Sequence, residues 1–151
     1  VHILVATDAD YVLDEVLAAF SGADTSFTVC REGRDVSRVV TSRNPDLAIV
    51  DLQCGSMGGM AITMALRLDE SSGAVPHVPI LMLLDRRADV HLAKRSAADA
   101  WVIKPLDAIT LQRAAHAILH PEPATEAGDG PVDPDGAEIS VSSEEETVTA
   151  G

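Results

Sequence analysis

Five short apolar runs, HILVA, SFTVC, LAIV, ILMLL and AWVI, recur along this chain, and every gap between them holds a stretch with helical periodicity. The runs are His2–Ala6, the weaker Ser26–Cys30, Leu47–Val50, Ile80–Leu84 and Ala100–Ile103. Each has strand length and β-branched or large apolar members. Between them, Asp10–Phe20 places Val12, Leu13, Val16, Leu17 and Phe20 on one helical stripe, and Arg34–Arg43 aligns Val36, Val39 and Val40 before Asn44-Pro45 ends the helix. Met57, Met60, Met64 and Leu68 share helical spacing and read as the core face of a third helix. Ser71–Pro79 is a loop rich in Ser, Gly and Pro, Arg87 to about Ala97 forms a modest fourth helix, and Asp107 is placed to cap a fifth carrying Leu111, Ala114, Ala115 and Ile118.

Strict alternation of strand and helix predicts right-handed crossovers and a parallel sheet covered on both faces. The fold class is therefore α/β, doubly wound, and for five strands in about 120 residues the flavodoxin-like order 2-1-3-4-5 fits. The third run ends abruptly on a carboxylate, Asp51. In this order the ligand crevice opens beyond the carboxyl ends of strands one and three. Asp51 lies at that crevice, Asp8 just past the first strand lies across from it, and Lys104 follows the fifth strand.

Charge separates two regions. The chain has 24 Asp and Glu against 11 Lys and Arg, and 9 of the acids with none of the bases lie from Pro121 onward. The first 120 residues thus carry 15 acids and 11 bases, a net of −4, and read as one domain; 121–151 reads as an acidic, Pro/Gly-rich disordered tail. A body without a net basic charge, in a chain whose sequence pI is near 4.5, argues against direct nucleic-acid binding. Two cysteines, Cys30 and Cys54, make no disulfide framework, and the five histidines show no ligand spacing. No run of about 18 apolar residues is present, so membrane insertion is not expected and a cytoplasmic location is.

Two carboxylates at a crevice offer the hard oxygen donors that magnesium accepts. A carboxylate is also a nucleophile able to take a phosphoryl group as an acyl phosphate, with a metal and a lysine to neutralise the charge. The segments ILVATDAD, DLAIVDLQCGSMGGM, PILMLLD and AWVIKPL, in this order and at these intervals, resemble the receiver domain of two-component response regulators from Val1 to His120. The resemblance implies Asp51 as phosphoacceptor, Lys104 as its cationic partner, and a Mg²⁺ held by Asp8, Asp51 and the main-chain carbonyl of Gln53. Gly59 matches the glycine after the acceptor, Leu84 and Trp101 fall at the two switch positions, and the Lys104-Pro105 bond is implied to be cis. A domain of this kind is no enzyme beyond self-dephosphorylation.

Several positions depart from the family's pattern. Thr7 replaces the first acid of the acidic pair, Leu84 stands where a Thr or Ser would donate to the phosphoryl group, and Asp85 adds a negative charge beside it. Gly55-Ser56 replaces the usual Pro-Gly. The expected function is that of an atypical, single-domain response regulator acting through protein–protein interaction, with weakened or absent phosphorylation-dependent switching and weak Mg²⁺ binding. The alternative is a conventional phosphorelay receiver that takes phosphate from a histidine kinase on Asp51. A small-ligand flavodoxin-like protein is a third reading, without a glycine-rich phosphate loop to support it. The expected partner surface is formed by the fourth helix, fifth strand and fifth helix, flanked by Arg86, Arg87, Lys94 and Arg95. Trp101 is expected to be half-buried.

Overall fold

The structure, a computed structural model, describes residues 1–22, 24–55 and 57–121. The acidic tail expected from Pro121 to Gly151 lies, apart from Pro121, outside the described residues. Strands β1 (His2–Ala6), β2 (Ser26–Cys30), β3 (Leu47–Asp51), β4 (Ile80–Leu84) and β5 (Ala100–Ile103) form one parallel sheet in the order β2-β1-β3-β4-β5, as the alternation predicts. Helices α1 (Asp10–Phe20), α2 (Val36–Arg43), α3 (Gly59–Ser71), α4 (Val90–Ser96) and α5 (Ala108–Leu119) connect and follow them. Short 3₁₀ turns, Gly33–Asp35 and Arg87–Asp89, lead into α2 and α4, so the helical stretches read from Arg34 and Arg87 each begin as 3₁₀ and relax into α.

The apolar runs are continuous because the sheet is buried on both faces. Alternate residues of each strand enter different cores. Leu4, Ala6, Ala48, Val50, Ile80, Met82, Leu84 and Trp101 pack with Val36, Val40, Ile62, Leu66 and Ala93 beneath α2, α3 and α4. Ile3, Val5, Leu47, Ile49, Leu81, Leu83 and Val102 pack with Val12, Val16, Leu111 and Ala114 beneath α1 and α5. Each fully buried Leu, Ile or Val contributes roughly 1.5–3 kcal/mol. The central strands β3 and β4 are buried at every residue, whereas β2 is an edge strand buried fully only at Cys30.

Local signals set the helix ends. Asn44 adopts the left-handed conformation (φ 47°) that closes α2, and Pro45 then forbids its continuation. Asp107 accepts from the Thr110 N–H at 2.9 Å, the expected cap of α5. The methionine stripe is corrected in part: Met57, just before α3, packs against the core, but the rest of the stripe does not form the buried face. Met64 is 49% and Leu68 69% exposed, and the buried face is Gly59, Ile62, Thr63 and Leu66. Both sets recur every three to four residues, so period alone does not distinguish them. The start of α3 decides, because Gly59 is pressed against the end of β3 and sets the rotation of every later residue.

Candidate functional site

The carboxyl edge of the sheet gathers the residues read from the sequence. Asp51 ends β3 and is almost wholly buried, 1% exposed. Both of its oxygens are engaged: Oδ1 accepts from Lys104 Nζ at 2.9 Å and from the Gln53 N–H at 3.1 Å, and Oδ2 accepts from the Thr7 hydroxyl at 2.7 Å. A buried carboxylate needs such partners, since an unpaired charge at this depth costs several kcal/mol. Lys104 reaches Asp51 from the end of β5. Its N–H donates to the Leu84 carbonyl at 2.8 Å, and the Lys104-Pro105 bond is cis, as the resemblance implies.

Asp85 shares the lysine. Its Oδ1 accepts from Lys104 Nζ at 2.9 Å and its Oδ2 from the Gln53 side-chain amide at 3.0 Å. Burial alone would raise the Asp85 carboxyl, but the hydrogen bonds from Lys104 and Gln53 outweigh it and hold the group below its ordinary value. Burial likewise opposes the charge on Lys104, and the two carboxylates reverse that, raising its pKa. The ammonium also stands 5.9 Å from the centroid of the Tyr11 ring on α1. Lys104 is therefore a fixed cation across the neutral range.

Asp8 is exposed on the loop after β1 and accepts from the Gly55 N–H at 2.9 Å, which ties the β1 and β3 loops together. Gly55 has φ +29°, and a Cβ there would meet the Arg31 carbonyl oxygen at 2.7 Å, so glycine serves this close approach. Gly59 is closer still to its neighbours: a Cβ would lie 2.5 Å from the Asp51 carbonyl oxygen. Its N–H donates back to Leu52 at 2.9 Å, folding the loop onto the end of β3. Cys54, on the β3 loop and buried in the core that holds Cys30 and Val36, has its thiol pushed up to about 11, by burial first and then by the charges of Asp8 and Asp51. It stays a thiol at neutral pH and is a poor nucleophile.

Leu84, at the end of β4, is fully buried and packs in the same core as Trp101. Trp101 is also fully buried, a correction to its expected half-exposure. It lies beneath α4, where Lys94 Nζ stands 5.8 Å from its ring centroid, and its Nε1 has no hydrogen-bond partner among the described residues.

Three contributors escape the sequence reading. Thr7 counts there only as a lost acid, yet its hydroxyl accepts from the Ala9 N–H at 3.1 Å and donates to Asp51. Its position beyond β1 is the available signal, because a carboxylate at the end of the neighbouring strand needs a donor from that side. The Gln53 side chain and Tyr11 have no comparable signal; both depend on loop and helix geometry.

Among the described residues no group of three or more His, Cys, Asp or Glu side chains is arranged to hold a metal ion. The carboxylates of Asp8 and Asp51 are oxygen donors of the kind magnesium prefers. They are one carboxylate fewer than an acidic pair plus acceptor would supply.

The chain matches the response regulator receiver domain over residues 3–116. It belongs to that family. The receiver is 25% identical over 118 residues to protein PilH of Pseudomonas aeruginosa, covering 78% of this chain and 97% of that one. It is 35% identical over 96 residues to an uncharacterized response regulatory protein of Mycobacterium tuberculosis, covering 64% and 69%. A putative response regulator from Chloroflexus aurantiacus shares the receiver's fold with a TM-score of 0.70 at 20% identity, covering 78% and 96%. The receiver domain of a Pseudomonas aeruginosa sensor histidine kinase, solved with magnesium in its active-site cleft, does so with a TM-score of 0.68 at 19% identity, covering 78% and 96%. Among the described residues of the receiver no helix is long and apolar enough to cross a membrane.

Proposed function

We propose that this receiver works in signal transduction chiefly as a protein-interaction module whose phosphate-driven switch is weakened. The observation that carries the reading is Leu84. It is fully buried at the end of β4, in one core with Trp101, and offers no hydrogen bond to a group on Asp51. A hydroxyl at this place would be drawn toward phosphoryl oxygens and would vacate space beside the aromatic residue of β5. Leu84 has no polar atom to be drawn, and its branched side chain stays where the core holds it. Information from Asp51 thus lacks its mechanical link to the face formed by α4, β5 and α5, which is the surface we assign to a protein partner.

The pocket retains the parts of a phosphoacceptor. Asp51 is the nucleophile of this reading, held at 2.9 Å from Lys104, which would neutralise the transferred group. Asp8, Asp51 and the Gln53 carbonyl would hold Mg²⁺, which when bound shields the charge on the transferring oxygens. With Thr7 in place of an acid this binding is weak. Turnover beyond self-dephosphorylation is not part of the proposal. The Asp51–Lys104 pair also favours a second reading, a conventional receiver accepting phosphate from a histidine kinase.

Beryllofluoride with Mg²⁺ separates the two. In the native chain the Trp101 emission and the amide NMR shifts of α4 are expected to stay unchanged on its addition. In Leu84→Thr they are expected to respond, at a stability cost of about 1–3 kcal/mol for a hydroxyl placed in a leucine site. Clear changes at Trp101 in the native chain would instead establish the conventional reading.

A further inference from the structure

We propose that Asp85 is a built-in competitor for the phosphoryl group: its carboxylate, braced by the Gln53 side chain, holds the Lys104 ammonium that a group arriving on Asp51 would need, and so limits how readily Asp51 is modified. The inference rests on the reading of Asp51 as the acceptor.

Asp85 is not an idle surface acid. Both of its oxygens are bound by donors of the pocket, Oδ1 by Lys104 at 2.9 Å and Oδ2 by the Gln53 side chain at 3.0 Å. The same Lys104 nitrogen lies 2.9 Å from Asp51 Oδ1, so the two accepting carboxylate oxygens are separated by no more than twice that distance. One ammonium therefore balances two carboxylates before any substrate arrives. A phosphodonor brings further negative charge to this spot, where like charges repel strongly because the surroundings are partly dry. Asp85 occupies the place beside Lys104 that an anion would seek.

The reaction affected is simple in its balance. With acetyl phosphate, an Asp51 carboxylate oxygen forms a bond to phosphorus while the bond from phosphorus to the acetate oxygen breaks, and acetate leaves with the electron pair. No proton or redox partner is required. Lys104 must turn from Asp85 toward the transferring oxygens during this step, and Asp85 opposes the turn.

Time-resolved intact mass of the full chain with acetyl phosphate and MgCl₂ tests this. Asp85→Asn, which keeps the size and one accepting oxygen but removes the charge, and Asp85→Ala are both expected to gain one phosphoryl group faster than the native chain by roughly tenfold or more. Asp85→Glu, which keeps the charge, is expected to remain within about twofold of native. If both neutral variants are folded by thermal unfolding and label at the native rate, or fail to label at all, the competitor role is wrong. If the gain survives addition of Asp51→Asn, the label lies elsewhere and the acceptor reading itself fails.

Discussion

Thr7 shows how one side chain sets the character of the pocket. A carboxylate there would raise the charge available to a cation but would face Asp51 without a proton to share. Threonine instead donates to Asp51 Oδ2 at 2.7 Å and neutralises part of its need for a metal. The native chain is therefore expected to bind Mg²⁺ with a dissociation constant in the millimolar range or weaker, about −4 kcal/mol at most. Thr7→Asp should reverse the balance. Without metal it loses about 1–3 kcal/mol, because Asp51 forfeits a donor and gains a like charge, and excess MgCl₂ restores part of the loss while binding roughly tenfold more tightly. Calorimetric titration and thermal unfolding with and without MgCl₂ measure both effects. Micromolar binding by the native chain would contradict this account.

At the scale of elements, the approach of α3 to β3 fixes the geometry around Asp51. The first residue of α3, Gly59, sits so close that a Cβ would lie 2.5 Å from the Asp51 carbonyl oxygen and 2.8 Å from Leu52 Cα, and neither atom belongs to a side chain that can turn aside. Gly59→Ala is expected to cost about 3 kcal/mol, at the high end for an added methyl, and to shift Asp51 away from Lys104. Urea midpoints check the stability, and a loss under about 0.5 kcal/mol would show that the loop yields freely. The same contact explains what was readable beforehand. Strands β1, β3, β4 and β5 announce themselves because both faces are buried and their residues are apolar apart from His2 at the start of β1 and Asp51 at the end of β3. The position of Asp51, Lys104 and Asp8 at one edge then follows from parallel topology alone. The rotation of α3 does not follow, since Met60, Met64 and Leu68 compete at the same period with Ile62 and Leu66, and Thr63 hides in the buried face behind a polar name. The closed hydrogen-bond circuit of Asp51, Gln53, Asp85 and Lys104 is equally out of reach, because it depends on side-chain directions that no spacing encodes.

For the molecule as a whole, the described residues that form the two cores lie between Ile3 and Leu119. Removing everything after His120 is accordingly expected to leave the melting temperature within about 4 °C of the full chain, the shift that roughly 1 kcal/mol produces. A larger fall in a thermal scan would mean that the acidic segment contributes to folding. The burial of Cys54 carries a different consequence. A sulfur that is buried on the β3 loop, with its thiol pushed up to about 11, reacts with an alkylating reagent only while that loop is lifted from the core. The rate of its modification therefore clocks the breathing of the pocket, separately from global unfolding. The chain thus carries its own stopwatch for how often the crevice opens.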